Sequence, residues 1–237
     1  MKKYKLGLIC GRFSHIHKGH QILIDKALEL CENILILVGS AQESGTLRNP
    51  FDADFRIELI KKVYPDPKIK IEKLNDMSNE YDISYEWGQY IIDKTKKYTG
   101  TFADLIVTGN DNLRKGWFSE EQMKDTTELI IDRKQLEISA TDLRGYLLIN
   151  DQQTWKRYVP EQILNDFQTI RETLQQVPIY QEIIQKMGND QTIQNYTKIY
   201  QKYEDEDIKH KIQQNCQKWN EWGKNKQKLW WKQFKQC

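Results

Sequence analysis

Three of the four histidines in this 237-residue chain fall in one segment, Gly11-Arg12-Phe13-Ser14-His15-Ile16-His17-Lys18-Gly19-His20, directly after an apolar run. His17 and His20 are three apart, so on a helix they share one face of its first turn. A helix start attracts anions, because its first backbone N–H groups lack partners and its dipole is positive there. Imidazoles can donate to phosphate oxygens, and Arg12 adds a rigid fork of donors. Gly11 allows a tight turn after the strand, and Gly19 allows close approach of an anion. The chemistry expected is the binding of a polyphosphate, such as a nucleoside triphosphate.

A second constellation lies at Ile138-Ser139-Ala140-Thr141-Asp142-Leu143-Arg144. Ser139 and Asp142 have the spacing of a capping box. Arg144 falls on the same first turns as the Ser139 and Thr141 hydroxyls, which suits a second phosphate cradle.

The elements that must position these groups follow from periodicity. Buried strands are expected over 6–10, 33–38 and 103–108, a more exposed one over 68–74, and a shorter one over 128–131. Amphipathic helices are expected over 18–31, 52–63, 84–97 and 139–149. Such β-α-β alternation implies an α/β fold, a Rossmann-like parallel sheet with helices on both faces. Ligands of such sheets sit at the carboxyl ends of the strands. Three polar loops leave from that edge, at 11–17, 39–50 and 109–112. After Asp151 the strand pattern stops, and helices are expected over 160–176, 179–187 and 191–203. The acidic run Glu204 to Asp207 reads as a break or as a helix surface.

Composition narrows the classes further. The net charge is +2, no apolar run has membrane-spanning length, and the start is too short in apolar residues for a signal peptide. Cys10, Cys31, Cys216 and Cys237 lack metal-ligand spacing and read as reduced thiols of a cytoplasmic protein. From Lys211 onward seven lysines face the single acid Glu221, and Trp219, Trp222, Trp230 and Trp231 fall there too. Ile212, Cys216, Trp219, Trp230 and Phe234 lie near one helical stripe. Packing on the domain or on another subunit is the plain expectation; contact with a membrane surface or nucleic acid is the rival.

The two motifs together, GRFxxxHxGH and ISxTxxR, resemble the nucleotidyltransferases that transfer adenylyl or cytidylyl groups. The run Gly39-Ser40-Ala41-Gln42 to Asn49-Pro50-Phe51, followed by a helix with Arg56 at its start, is similar to the archaeal-type nicotinamide-mononucleotide adenylyltransferases. The resemblance spans about residues 4 to 172 and implies a catalytic domain over 1–172 with a helical extension over 173–237. It implies that His17, His20, Arg12 and Arg144 are catalytic, contacting the ATP phosphates. Gly11, Phe13, Ser40, Arg48, Gly109, Asn110, Ser139 and Thr141 would line the ATP site. Gln42, Asp82 and Trp87 would meet NMN, with Trp87 stacking on nicotinamide; Asp76 is the other candidate for the acidic position. His15 stands where family members usually carry proline.

The implied reaction joins NMN, or its nicotinate analogue, to ATP, with Mg²⁺ held mainly by substrate phosphates and no protein metal cage. A homo-oligomer is expected. Another adenylyl- or cytidylyltransferase of the same superfamily, or a nucleotide-sensing regulator without turnover, are the alternatives.

Overall fold

In the computed structural model, five parallel strands form one sheet in the order β3-β2-β1-β4-β5. They are β1 (Tyr4–Gly11), β2 (Cys31–Val38), β3 (Ile69–Lys73), β4 (Leu105–Gly109) and β5 (Thr127–Ile131). The structure describes residues 2–78, 84–109, 116–132 and 139–222, with side chains up to 214. Chain progress reverses between β1 and β4, so the crevice for a ligand lies beyond Gly11 and Gly109.

The period-two alternation of the strands divides their side chains between two cores. Ile9, Ile34, Ile36, Val38, Leu105 and Val107 face one side, and Leu6, Leu8, Cys10, Leu35, Leu37 and Ile106 face the other. The first side carries α1 (Lys18–Leu30) and α2 (Ala53–Val63), and the second carries α3 (Tyr85–Thr99). The expected exposure of the third strand follows from its place at a sheet edge.

Local chemistry sets the helix starts. Asp52 accepts from the Phe55 N–H at 2.8 Å, and Ser84 accepts from the Trp87 N–H at 3.2 Å. Ser139 and Asp142 form the expected capping box at the start of α5 (Ala140–Leu148). One boundary differs from expectation. The α1 helix passes into β2 at Cys31 without a turn residue, because Cys31 already pairs with Tyr4 while its N–H closes the helix on the Ala27 carbonyl.

Short helices α4 (Glu120–Met123) and α6 (Gln152–Trp155) were not expected from periodicity. The 160–176 segment divides into a 3₁₀ turn, Glu161–Asp166, and α7 (Phe167–Gln175). It is followed by α8 (Pro178–Met187) and α9 (Ile193–Trp222). The acidic run does not stop α9: Asp207 pairs with Lys211 one turn on, at 3.3 Å. Ile170, Leu174, Tyr180, Ile183, Tyr196 and Tyr200 belong to the same buried cluster as the sheet and α1. Of the lysine- and tryptophan-rich stripe, only Ile212 has a described side chain. Among the described residues no helix is long and apolar enough to cross a membrane.

Candidate active site

His17 caps α1. Its Nδ1 accepts from the Gly19 N–H at 3.0 Å, which assigns the ring proton of a neutral imidazole to Nε2 and leaves that atom a donor. His20 lies against it, ring centroids 4.0 Å apart, and against Phe13 at 4.6 Å. The expected free N–H groups of this helix start are not free. The Lys18 N–H donates to the Tyr158 carbonyl and the His20 and Gln21 N–H groups to the His17 carbonyl. The donors that remain at this helix start belong to side chains.

His15 has a different role from its neighbours. It is fully buried, and its Nε2 accepts from the Trp155 indole at 3.0 Å while Nδ1 donates to the Ile16 carbonyl at 2.7 Å. Burial pushes its pKa down to about 4, and the Arg144 charge adds to the depression. His15 is a neutral structural link between the loop after β1 and Trp155 of α6.

Arg56 is the residue that sequence reasoning undervalued. It is 1% exposed and donates to four carbonyls. Nε reaches Asp52 at 3.1 Å, Nη1 reaches Arg12 at 2.6 Å and Gly39 at 2.8 Å, and Nη2 reaches Ser40 at 3.1 Å. It thus fastens the chain after β1 to the chain after β2. Phe13 and Ser40, one in each of these turns, hold left-handed backbone at φ 50° and 46°. Such conformations persist in non-glycine residues where neighbours over-determine them. Burial lowers the Arg56 pKa to about 10, with Arg12 adding to the shift, and the group remains cationic at neutral pH. The available signal was an arginine on the apolar face of an amphipathic helix.

The 39–50 loop is docked rather than loose. The Ser14 hydroxyl donates to the Arg48 carbonyl at 2.9 Å, and the Tyr180 hydroxyl donates to the Leu47 carbonyl at 2.7 Å. Arg48 lies 3.6 Å from Glu204 of α9. Gln42 and Asp76 meet through two hydrogen bonds, Nε2 to Oδ2 at 3.1 Å and the Asp76 N–H to Oε1 at 2.9 Å.

At the start of α5, Arg144 is 3% exposed. Its Nη2 donates to Thr141 Oγ1 at 3.1 Å and to the Tyr200 hydroxyl at 3.0 Å. The Ser139 hydroxyl donates to Asp142 Oδ2 at 2.6 Å, so its donor serves the cap. Gly109 ends β4 beside the same crevice; Asn110 and Asp82 lie outside the described residues.

The fold thus gathers Gly11, Arg12, Phe13, His17, His20, Ser40, Arg48 and Gly109 at one sheet edge, with Arg144 and Thr141 at the α5 start. Trp87 is not brought to this group as an open ring. It is 5% exposed within the second core, stacked on Tyr90 at 5.6 Å and edge-on to Trp117 at 6.0 Å. A face for nicotinamide exists there only if those neighbours move. Gly88 is required in this packing, since a Cβ would sit 1.9 Å from the Trp117 carbonyl oxygen.

The cytidylyltransferase-like family profile matches residues 8–209. The chain is 30% identical over 170 residues to a nicotinamide-nucleotide adenylyltransferase of Thermococcus sibiricus, covering 70% of this chain and 84% of the relative. It is 32% identical over 157 residues to the protein of the same description from Methanococcus vannielii, covering 66% and 84%. A bifunctional NMN adenylyltransferase/ADP ribose pyrophosphatase of Francisella tularensis, solved with AMP and a manganese ion, shares the fold at a TM-score of 0.55 and 19% identity. That match covers 77% of this chain and 52% of the other, so this chain spans about half of that protein's length.

Proposed function

The chain belongs to the cytidylyltransferase-like family, and from that premise we propose that it is an adenylyltransferase making NAD and pyrophosphate from NMN and ATP. The observation that carries this reading is the cationic rim. His17 and His20 meet at the α1 start, Arg12 follows β1 and Arg48 lies on the loop after β2, at the end where a parallel sheet takes its ligand, and Arg144 stands at the α5 start. The relatives described as nicotinamide-nucleotide adenylyltransferases support the choice of substrates.

The 5′-phosphate of NMN is already ionised at neutral pH, so its oxygen attacks the α-phosphorus of ATP without a general base. The bond to the bridging oxygen breaks, and pyrophosphate leaves with that electron pair. The protein's task is to hold two anions in line and to offset charge on the phosphoryl oxygens. His17 donates from Nε2, the tautomer set by its own helix cap. His20 is held between His17 and Phe13 for the same oxygens. Arg12 and Arg48 neutralise the phosphates, and Arg144 meets the β and γ groups. Gln42 and Asp76, already paired, form a polar corner suited to the NMN end.

Among the described residues no three metal-ligating side chains cluster, and the rim is cationic. It fits Mg²⁺ that arrives on the triphosphate and keeps much of its water, and it would supply charge neutralisation there. No side chain is assigned to it.

The test is turnover: purified protein with ATP, Mg²⁺ and NMN, scored by chromatography for NAD and by a coupled assay for pyrophosphate. Equal yields of the two products are expected. Folded protein that binds ATP but forms neither product would overturn the proposal.

A further inference from the structure

Arg144 carries its charge in the interior, where among the described residues its hydrogen-bond partners are hydroxyls and not carboxylates. The groups around it are phenols, those of Tyr180, Tyr196 and Tyr200. Burial pushes the phenols of Tyr180 and Tyr196 further above their ordinary range, so both are neutral. Among the described residues the guanidinium Nε, which is buried, has no hydrogen-bond partner. A buried cation held by neutral groups alone is costly, and an anion would complete it. Arg48 is the contrast, because Glu204 already stands 3.6 Å from it.

Tyr200 touches the guanidinium through both its hydroxyl and its ring. Its hydroxyl accepts from Nη2 at 3.0 Å, and its ring centroid lies 5.6 Å from the guanidinium carbon. Thr141 Oγ1 accepts from the same nitrogen at 3.1 Å, so two hydroxyl oxygens orient the fork. A carboxylate in place of Tyr200 would hold the arginine equally well but would cancel the charge that a phosphate needs. A phenol orients it and leaves the charge whole.

The seat of Tyr200 is itself firmly built. Tyr196, one turn earlier on α9, donates from its hydroxyl to the Thr141 carbonyl at 3.2 Å. The two helices approach so closely that a Cβ on Gly145 would lie 2.4 Å from Ile193 Cδ1 and 2.6 Å from Tyr196 Cδ1. Tyr196 and Tyr200 are both almost fully buried.

We propose that Tyr200 is a positioning residue, which from α9 holds the Arg144 guanidinium in the orientation that receives the triphosphate. The proposal rests on the assignment of Arg144 to the ATP phosphates. It makes α9 part of the nucleotide site, although Tyr200 never touches substrate.

The experiment is Tyr200→Phe, which keeps the ring and its packing and removes only the hydroxyl. KM for ATP should rise about tenfold, as for loss of one hydrogen bond to a charged group, while KM for NMN stays within about twofold. In an Arg144→Ala background the same change should have no further effect on ATP, because Tyr200 acts through Arg144. ATP affinity is measured in parallel by calorimetry on all four proteins, with thermal melts. Wild-type protein that binds ATP but makes no dinucleotide counts against the adenylyltransferase reading alone, and Tyr200 is then judged on ATP affinity. Unchanged ATP affinity in Tyr200→Phe overturns the positioning role. So does equal weakening of both substrates, or the same loss with and without Arg144.

Discussion

Replacing Arg56 by lysine should loosen two turns at once, because one guanidinium serves carbonyls of Asp52, Arg12, Gly39 and Ser40. Lysine keeps the charge but offers a compact ammonium on a flexible stem, which cannot span acceptors on separate turns. At least two carbonyls would lose a charged donor, each such bond being worth about 1.5–3 kcal/mol. Part of that loss is offset, since burial already strains the native cation and draws its pKa to about 10. A net destabilisation of about 3 kcal/mol follows. With a urea slope of about 2–3 kcal/mol per molar, the unfolding midpoint should fall by about 1 M. Phe13 and Ser40 would also lose what holds their left-handed backbone, so kcat/KM should drop at least about tenfold through misplacement of the rim. Equilibrium urea unfolding and steady-state assays on the same preparation read both effects. A midpoint within about 0.2 M of wild type together with unchanged kcat/KM would refute the clamp.

Three further outcomes are expected. His20→Ala should lower kcat by roughly 10²-fold, the loss typical of a preorganised donor, with little change in melting temperature; unaltered turnover in the folded variant would remove His20 from the site. His15 enters the unfolded state with a pKa near 6.5 but has one of about 4 when folded, so protons bind preferentially to the unfolded chain between those values. Stability is therefore full above about pH 6.5 and should fall by about 3 kcal/mol on acidification to pH 4; a His15→Asn variant showing the same pH slope would contradict this. Gly145→Ala should cost about 1–3 kcal/mol by wedging α5 from α9, and an unchanged urea midpoint would mean that the helices adapt freely.

Much of the frame was legible because it rests on local rules. The apolar run Leu6 to Cys10 reads directly as a buried strand, and Ser139 announces its helix through a cap that reaches only three residues ahead. The clustering of histidines also has a structural counterpart, since His17 and His20 do meet. What remained hidden depends on distant partners. His15 is neutral because it is buried, with the Arg144 charge adding to the depression, and its partner Trp155 stands 140 residues away. The α1 start lost its free N–H to the Tyr158 carbonyl, and no pattern near His17 could signal that. Arg56 looks like a lone charge on an apolar stripe until the two turns it joins are placed side by side. Arg144 and Tyr200 lie 56 residues apart and meet only through the packing of α5 on α9. Trp87 carried no local sign of whether its ring would be open, and the contacts that cover it come from Tyr90 and Trp117.

The most direct test is a crystal structure with a non-cleavable ATP analogue and NMN bound together. The expected map shows triphosphate oxygens about 3 Å from His17 Nε2, from His20 and from the Arg144 guanidinium, with the NMN phosphate in line with the α-phosphorus. An ordered triphosphate that touches none of these three side chains would contradict the proposed site.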